Sequence, residues 1–350
     1  MSPWLPPTLA SFRGLFWPET GLAAGGGAIL STRMSLDRSK LTAIGHADHV
    51  VCNPISLAKV DEVLDLLDLA PGARVLDAGC GKAEILMRLV EKHGVSAVGV
   101  DTNARLLEEA RRRAAGRVPE GALTLVEKDV TEYLRGAAGP VGACAPGRQA
   151  RLDVRPDPSE ALTSPPRARS ARPSLGIQQT DDEDASSVAS ASPSVASLAA
   201  SERHGFALFD AALCTGSTHA FGGYRQTLRA LAKVVRPGGS LLIGEGYWKR
   251  DPHADYLAAI GATRVEFTDH AGNVARAVEE GLVPLYSAVS SDDEWDRYEG
   301  LYLRAVERYI AAHPEDPDTP LFRDHIRRWR DSYLRWGRDT LGFGLYLFRT

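Results

Sequence analysis

The stretch Val75-Leu76-Asp77-Ala78-Gly79-Cys80-Gly81-Lys82-Ala83-Glu84 carries the strongest chemical signal in this chain of 350 residues. An apolar strand runs into Asp77, a turn is built on Gly79 and Gly81, and helical apolar spacing follows. Glycine lets the backbone bend tightly and approach a ligand closely, while the helix start presents free N–H groups. This is the physics of a nucleotide-type loop. A dinucleotide fingerprint, G-x-G-x-x-G/A, would need Gly or Ala where counting from Gly79 finds Glu84. A Walker phosphate loop, G-x-x-x-x-G-K-[ST], is not present in the sequence.

The residues that must work with this loop lie at the ends of later strands. Asp101 stands 20 residues beyond Gly81, where a carboxylate accepts bidentate hydrogen bonds from both ribose hydroxyls; before Thr102-Asn103-Ala104 it also suits a helix cap. A third strand ends in Glu127-Lys128-Asp129-Val130, and a fourth leads to Cys214-Thr215-Gly216-Ser217-Thr218-His219. A fifth, preceded by Val235-Arg236-Pro237-Gly238-Gly239, ends in Glu245, with Tyr247 and Trp248 just beyond.

The apolar pattern supplies the scaffold. Strands are expected at 74–77, 97–101, 123–126, 209–214, 240–245, 285–290 and 343–349, with helices between most of them. Val60, Val63, Leu64 and Leu67 repeat at i, i+3, i+4, i+7, an amphipathic helix stopped by Pro71-Gly72. Continuous apolar strands joined by helices predict a doubly wound α/β fold, a mostly parallel seven-stranded Rossmann-like sheet covered on both faces. Ligands in such folds bind at the carboxyl ends of the strands. Two further helices, near 293–312 and 321–339, fall before the last strand and are expected to cover the mouth of the site. The second places Phe322, Ile326, Trp329, Tyr333 and Trp336 on one face; its arginines read as the solvated face opposite an aromatic core, with a nucleic-acid stripe as the alternative.

The D-x-G-x-G of Asp77, Gly79 and Gly81 resembles motif I of the class I S-adenosylmethionine (SAM) dependent methyltransferases, and Arg236-Pro237-Gly238-Gly239 resembles the turn before their fifth strand. The segments His49-x-x-x-Asn53-Pro54, Gly216-Ser217-Thr218 with Gly222-Gly223, Gly244-Glu245-Gly246-Tyr247-Trp248, Glu294-Trp295-Asp296-Arg297-Tyr298-Glu299 and Gly342-Phe343-Gly344 are similar to the bacterial YjhP-type methyltransferases. That pattern leads one to expect a histidine where Cys52 stands. The resemblance covers 41–136 and 205–350 and implies SAM as cofactor, held by Asp77, Gly79, Cys80, Gly81, Asp101, Thr102, Asp129, Val130 and Cys214. Within that set it implies that Asp129 accepts from the adenine amino group while an apolar neighbour packs on the ring.

Methyl transfer from a sulfonium is an in-line displacement, so the protein chiefly aligns the reactants and excludes water. A general base is required only where the acceptor must lose a proton early. His49, His219 and Glu245 are the candidates, each with a structural alternative. Asn53, Thr218, Tyr247 and Trp248 are candidate acceptor contacts, the two aromatics serving equally as core packing. A nucleic-acid amine methyltransferase would show N/D-P-P-Y/F after the fourth strand, where this chain has Thr215-Gly216-Ser217-Thr218, so a small-molecule acceptor is favoured. The alternatives are a protein or nucleic-acid methyltransferase and a non-catalytic SAM-binding regulator or scaffold.

The bulk composition agrees. Lys and Arg number 41 against 45 Asp and Glu, a net charge of -4 that argues against a protein built to neutralise phosphates. Four scattered cysteines without C-x-x-C suggest neither a metal site nor a disulfide framework and fit a reducing cytoplasm. No apolar run is long enough to span a bilayer. Residues 1–40 read as a loose leader, with Met34 an alternative start, and 137–204, rich in Pro, Ala, Ser and Arg, as a disordered low-complexity insertion. Replacing 139–202 with a short Gly/Ser linker is therefore expected to leave the melting temperature and SAM binding unchanged, since such a composition buries too little apolar surface to support a core. A large loss of either would make the segment a structural element.

Overall fold

The computed structural model describes residues 36–137 and 208–350, which fall in one unit. The leader up to 35 and most of the expected insertion, 138–204, lie outside the described residues. The order is α1 Arg38–Gly45, α2 Leu57–Asp65, β1 Arg74–Ala78, α3 Glu84–His93, β2 Ser96–Asp101, α4 Ala104–Ala114, β3 Leu123–Glu127 and α5 Val130–Ala137. It continues with β4 Phe209–Thr215, a 3₁₀ turn Thr218–Phe221, α6 Tyr224–Ala232, β5 Val235–Trp248, α7 Ala254–Ile260, α8 His270–Glu279 and β6 Val283–Val289. After these come α9 Asp292–Ala312, α10 Thr319–Ser332, a π-helical turn Tyr333–Gly337 and β7 Leu341–Arg349.

The seven strands form one sheet in the order β3-β2-β1-β4-β5-β7-β6. The first five pair in parallel, while β7 runs antiparallel between β5 and β6. Alternation of side chains along each strand divides the core into two layers. Val75, Ala211, Leu213 and Leu242 pack with α2 and α3, whereas Leu76, Ala78, Ala212 and Ile243 pack with α6. The strand order reverses between β1 and β4, which is where a doubly wound sheet opens a crevice for a ligand.

The seven expected strands and the two helices before the last strand are all present. Four details differ. The helix Arg38–Gly45, capped by Asp37, begins inside the segment read as leader, and Lys40 ties it to Asp316 and Asp318. Strand β5 runs on to Trp248 because β7 pairs with it as far as Trp248↔Leu341, so Tyr247 and Trp248 belong to the strand. Helices α7 and α8 fill a stretch whose apolar pattern predicts no element. The last long helix is broken by the π-helical turn, a feature that appears mostly as a single-turn bulge.

Candidate active site

The site begins where β1 ends. Asp77 is 2% exposed and its Oδ1 has no hydrogen-bond partner among the described residues. Burial, and then the charge of Asp101, push its carboxyl up to about 7. The turn that follows is left-handed at Gly79, at Gly81 and at the non-glycine Ala83. A Cβ built at Gly79 would stand 2.1 Å from Ser217 Oγ, which itself donates to Ala78 O at 2.7 Å. The loops after β1 and β4 thus meet at a point where backbone alone fits.

Asp101 closes the other side of the turn. Its Oδ2 accepts from Gly81 N at 2.8 Å and its Oδ1 from Asn103 N at 2.8 Å. The cap of α4 is Asn103, which accepts from Arg105 N and Leu106 N, so Asp101 is a brace between β2 and the glycine turn. The Thr102 backbone also faces this carboxylate, whose roughly four lone-pair sites leave capacity for a ligand. Thr102 beside it is exposed. Asp129 does cap a helix: its Oδ1 accepts from Thr131 N, Glu132 N and Thr131 Oγ1, and the Thr131 bond leads in holding its carboxyl below the usual range. Val130 is buried in the core layer with Leu76.

The β4 and β5 side brings together the residues expected to face an acceptor. Thr218 donates to Glu245 Oε2 at 2.6 Å, and Gly246 N donates to Oε1 at 2.8 Å. Burial outweighs these two bonds and raises the Glu245 carboxyl to about 7. Asn53 donates to Thr215 Oγ1 at 3.3 Å, and a Cβ at Gly216 would lie 2.4 Å from its Oδ1. His219 keeps an exposed surface, but the atoms crowded around its ring lower its pKa, while the charge of Asp101 opposes this. Cys80 and Cys214 are thiols whose pKa burial raises, Cys214 to about 12, and Cys214 Sγ lies 3.4 Å from Ser217 Oγ.

Two expected acceptor contacts are drawn elsewhere. Trp248 packs on Tyr256 and Phe267 in the core and donates from Nε1 to Arg264 O, so its role is packing. Tyr247 lies against Gly342 and the ring of His270. His49 is buried and donates from Nε2 to Tyr298 O at 3.0 Å, leaving Nδ1 unpartnered among the described residues.

One group carried no role in the sequence reading although it sits inside the motif. Lys82 is 2% exposed, and its ammonium donates to His46 O at 2.6 Å and His49 O at 3.0 Å while pairing with Glu109 at 3.0 Å. Nothing in the linear pattern distinguishes it from an exposed loop lysine; its partners come from α4 and from a turn more than thirty residues upstream. Asp77, Gly79, Gly81, Cys80, Cys52, Asn53 and Thr215 line one cleft.

A seven-stranded sheet with β7 antiparallel beside β5, and a glycine turn after β1 braced by the acid that ends β2, define the class I methyltransferase architecture. The methyltransferase domain family matches residues 55–298, and the chain belongs to it. As a class I methyltransferase it takes SAM as methyl donor. YjhP of Escherichia coli (strain K12) is 22% identical over 313 residues, 89% of this chain and 98% of its own. A SAM-dependent methyltransferase of Geobacter sulfurreducens, crystallised with S-adenosyl-L-homocysteine (SAH), superposes with TM-score 0.65 at 23% identity, covering 90% of this chain and 99% of that one. The X-ray structure of YjhP gives 0.63 at 20% identity, covering 88% and 98%.

The Asp77 carboxyl makes stability pH-dependent. With a folded pKa near 7 against an ordinary 3.8, its protonated form is the one the fold accommodates; its contribution is complete below about pH 4 and lost as pH rises through 7. Asp77→Asn stays neutral, so its melting temperature relative to wild type is expected to rise between pH 5 and pH 8, by a few kcal/mol of stability at most. Thermal scans of the ligand-free proteins check this, and a pH-independent difference would show that Asp77 is already ionised at pH 5.

Proposed function

We propose that this chain transfers a methyl group from SAM to a small-molecule acceptor, releasing SAH. The observation that carries the reading is the cleft at the switch point of the sheet, lined on one side by the Asp77-to-Gly81 turn, which Asp101 braces, and on the other by Cys52, Asn53 and the β4 end at Thr215. The buried Glu245–Thr218 pair stands towards the ends of β5 and β4, joining β5 to the turn after β4. The residues present suit the cofactor. Gly79 and Gly81 leave backbone exposed to it, the unpartnered buried Asp77 suits its α-ammonium, and the remaining lone pairs of Asp101 suit its ribose hydroxyls. Asp129 keeps Oδ2 for the adenine amino group, with Val130 behind it, and Cys80 lines the cleft. Thr102 lies exposed beside Asp101, and Cys214, expected on the cofactor, is instead fully buried in the core layer with Ala212 and Ile243.

SAM when bound supplies a methyl group activated on a sulfonium. The protein's share is alignment, exclusion of water and handling of the acceptor proton. Glu245, held near 7 and hydrogen-bonded to Thr218, can accept a proton close to neutral pH; His219 is a second base, and His49, with Nδ1 unpartnered, a third. Asn53, which lines the cleft, and Thr218, bonded to Glu245, would meet the acceptor, whereas Tyr247 is drawn away to Gly342 and His270. The loop after β4 has no N/D-P-P-Y/F motif, which supports a small molecule over a nucleic-acid base. A cytoplasmic setting fits the cysteines Cys52, Cys80 and Cys214, all free, and no helix among the described residues is long and apolar enough to cross a membrane.

Asp101→Ala is expected to weaken SAH binding roughly tenfold to a hundredfold by calorimetry, because a hydrogen bond to a charged acceptor contributes about 1.5–3 kcal/mol. Glu245→Gln and His219→Ala should instead keep SAH affinity and lower turnover of an acceptor found by screening for SAH release. Wild-type affinity in the first variant, or wild-type turnover in the other two, would remove the corresponding assignment; binding of SAM with no turnover of any acceptor would favour a regulator.

A further inference from the structure

An ammonium removed from water must find an acceptor for each of its N–H groups. Lys82 does so with the carbonyls of His46 and His49 and the carboxylate of Glu109. Arg113 reinforces the same turn, donating to His49 O and Val50 O while also bonding Glu109. The captured turn leads directly into Cys52 and Asn53, which line the cleft, and carries His49, whose ring is held from the far side by Tyr298 O. The backbone of Lys82 lies between left-handed Gly81, whose N–H is bound by Asp101, and left-handed Ala83. An alanine in that region is uncommon and needs support from its surroundings. The shape of the glycine turn and the seating of residues 46–50 are therefore not independent.

We infer that Lys82 is a positioning residue that couples the cofactor loop to the acceptor wall: when the turn is held by cofactor, Lys82 seats 46–53 over the cleft, so that cofactor binds before acceptor. This rests on the cofactor reading above. Coupling of this kind needs one element that both sites bias, and the shared ammonium is that element.

Amide hydrogen exchange with and without SAH tests it, in wild type and in Lys82→Met. Methionine keeps the length of the stem and leaves Glu109 paired with Arg113, so no charge is orphaned. In wild type, SAH should slow exchange by about tenfold or more both at 79–83 and at 46–53. In Lys82→Met, SAH should still protect 79–83 and bind within about tenfold of wild type, while 46–53 exchanges fast with and without it. Should Lys82→Met fail to fold, Lys82→Arg, which keeps the charge but not the three-way geometry, is read the same way. Equal SAH-dependent protection of 46–53 in wild type and variant overturns the coupling. Wild-type protection at 79–83 without any at 46–53 also overturns it but leaves the cofactor reading standing, whereas no protection at 79–83 means the cofactor reading itself has failed.

Discussion

A side chain at position 79 would have nowhere to go. The loop after β1 and the loop after β4 touch there, Ser217 Oγ occupies the space a Cβ would need, and its hydrogen bond to Ala78 O keeps it in place. Much follows from this close approach. It forces a glycine with positive φ directly behind β1, it turns the chain so that Gly81 N meets Asp101, and it leaves Asp77 Oδ1 at the base of the cleft without a hydrogen-bond partner among the described residues. The parallel pairing of β1 with both β2 and β4 fixes the frame in which those contacts occur.

Electrostatics separates the cleft from the rest of the molecule. Among the described residues most ion pairs are partly or fully exposed, such as Arg304 and Arg308 on Asp48, and contribute little each. Asp77 and Glu245 are the opposite case: buried carboxyls pushed to about 7, with no cation among their hydrogen-bond partners. Burying such groups is costly, and sites that bind or react are where that cost is retained. Glu299 shows that the shift alone does not mark a site. It too is raised to about 7 by burial, yet it sits on α9 accepting from Trp329 Nε1.

Much of the fold was legible because its strands are continuous apolar runs separated by glycine-marked turns, as at 74–77 and 240–245, a pattern that only a sheet covered on both faces satisfies. Helices α7 and α8 were not, being short and held by contacts such as Tyr256 with Trp248 that no local window contains. In the site, residue type and strand-end position were enough to single out Asp77, Asp101 and Glu245. The partner of each was not legible: that Asn103, not Asp101, caps α4 is decided by which side chain reaches Gly81. Trp248 was misplaced because the pairing of β5 with β7 lengthens the strand beyond its apolar run. Lys82 had no signal at all, since its meaning comes from carbonyls of a distant turn.

On the proposed function, the buried Asp77 carboxyl receives the charged tail of the cofactor. Titrating SAH into the protein by calorimetry in buffers of different ionisation enthalpy measures the protons released on binding. A carboxyl near 7 that ionises on meeting an ammonium should release about one proton per SAH at pH 6, falling toward none by pH 8, and Asp77→Asn should abolish the release. Stoichiometric binding at pH 6 without proton release, or release that survives in Asp77→Asn, would mean that Asp77 does not meet the cofactor's ammonium.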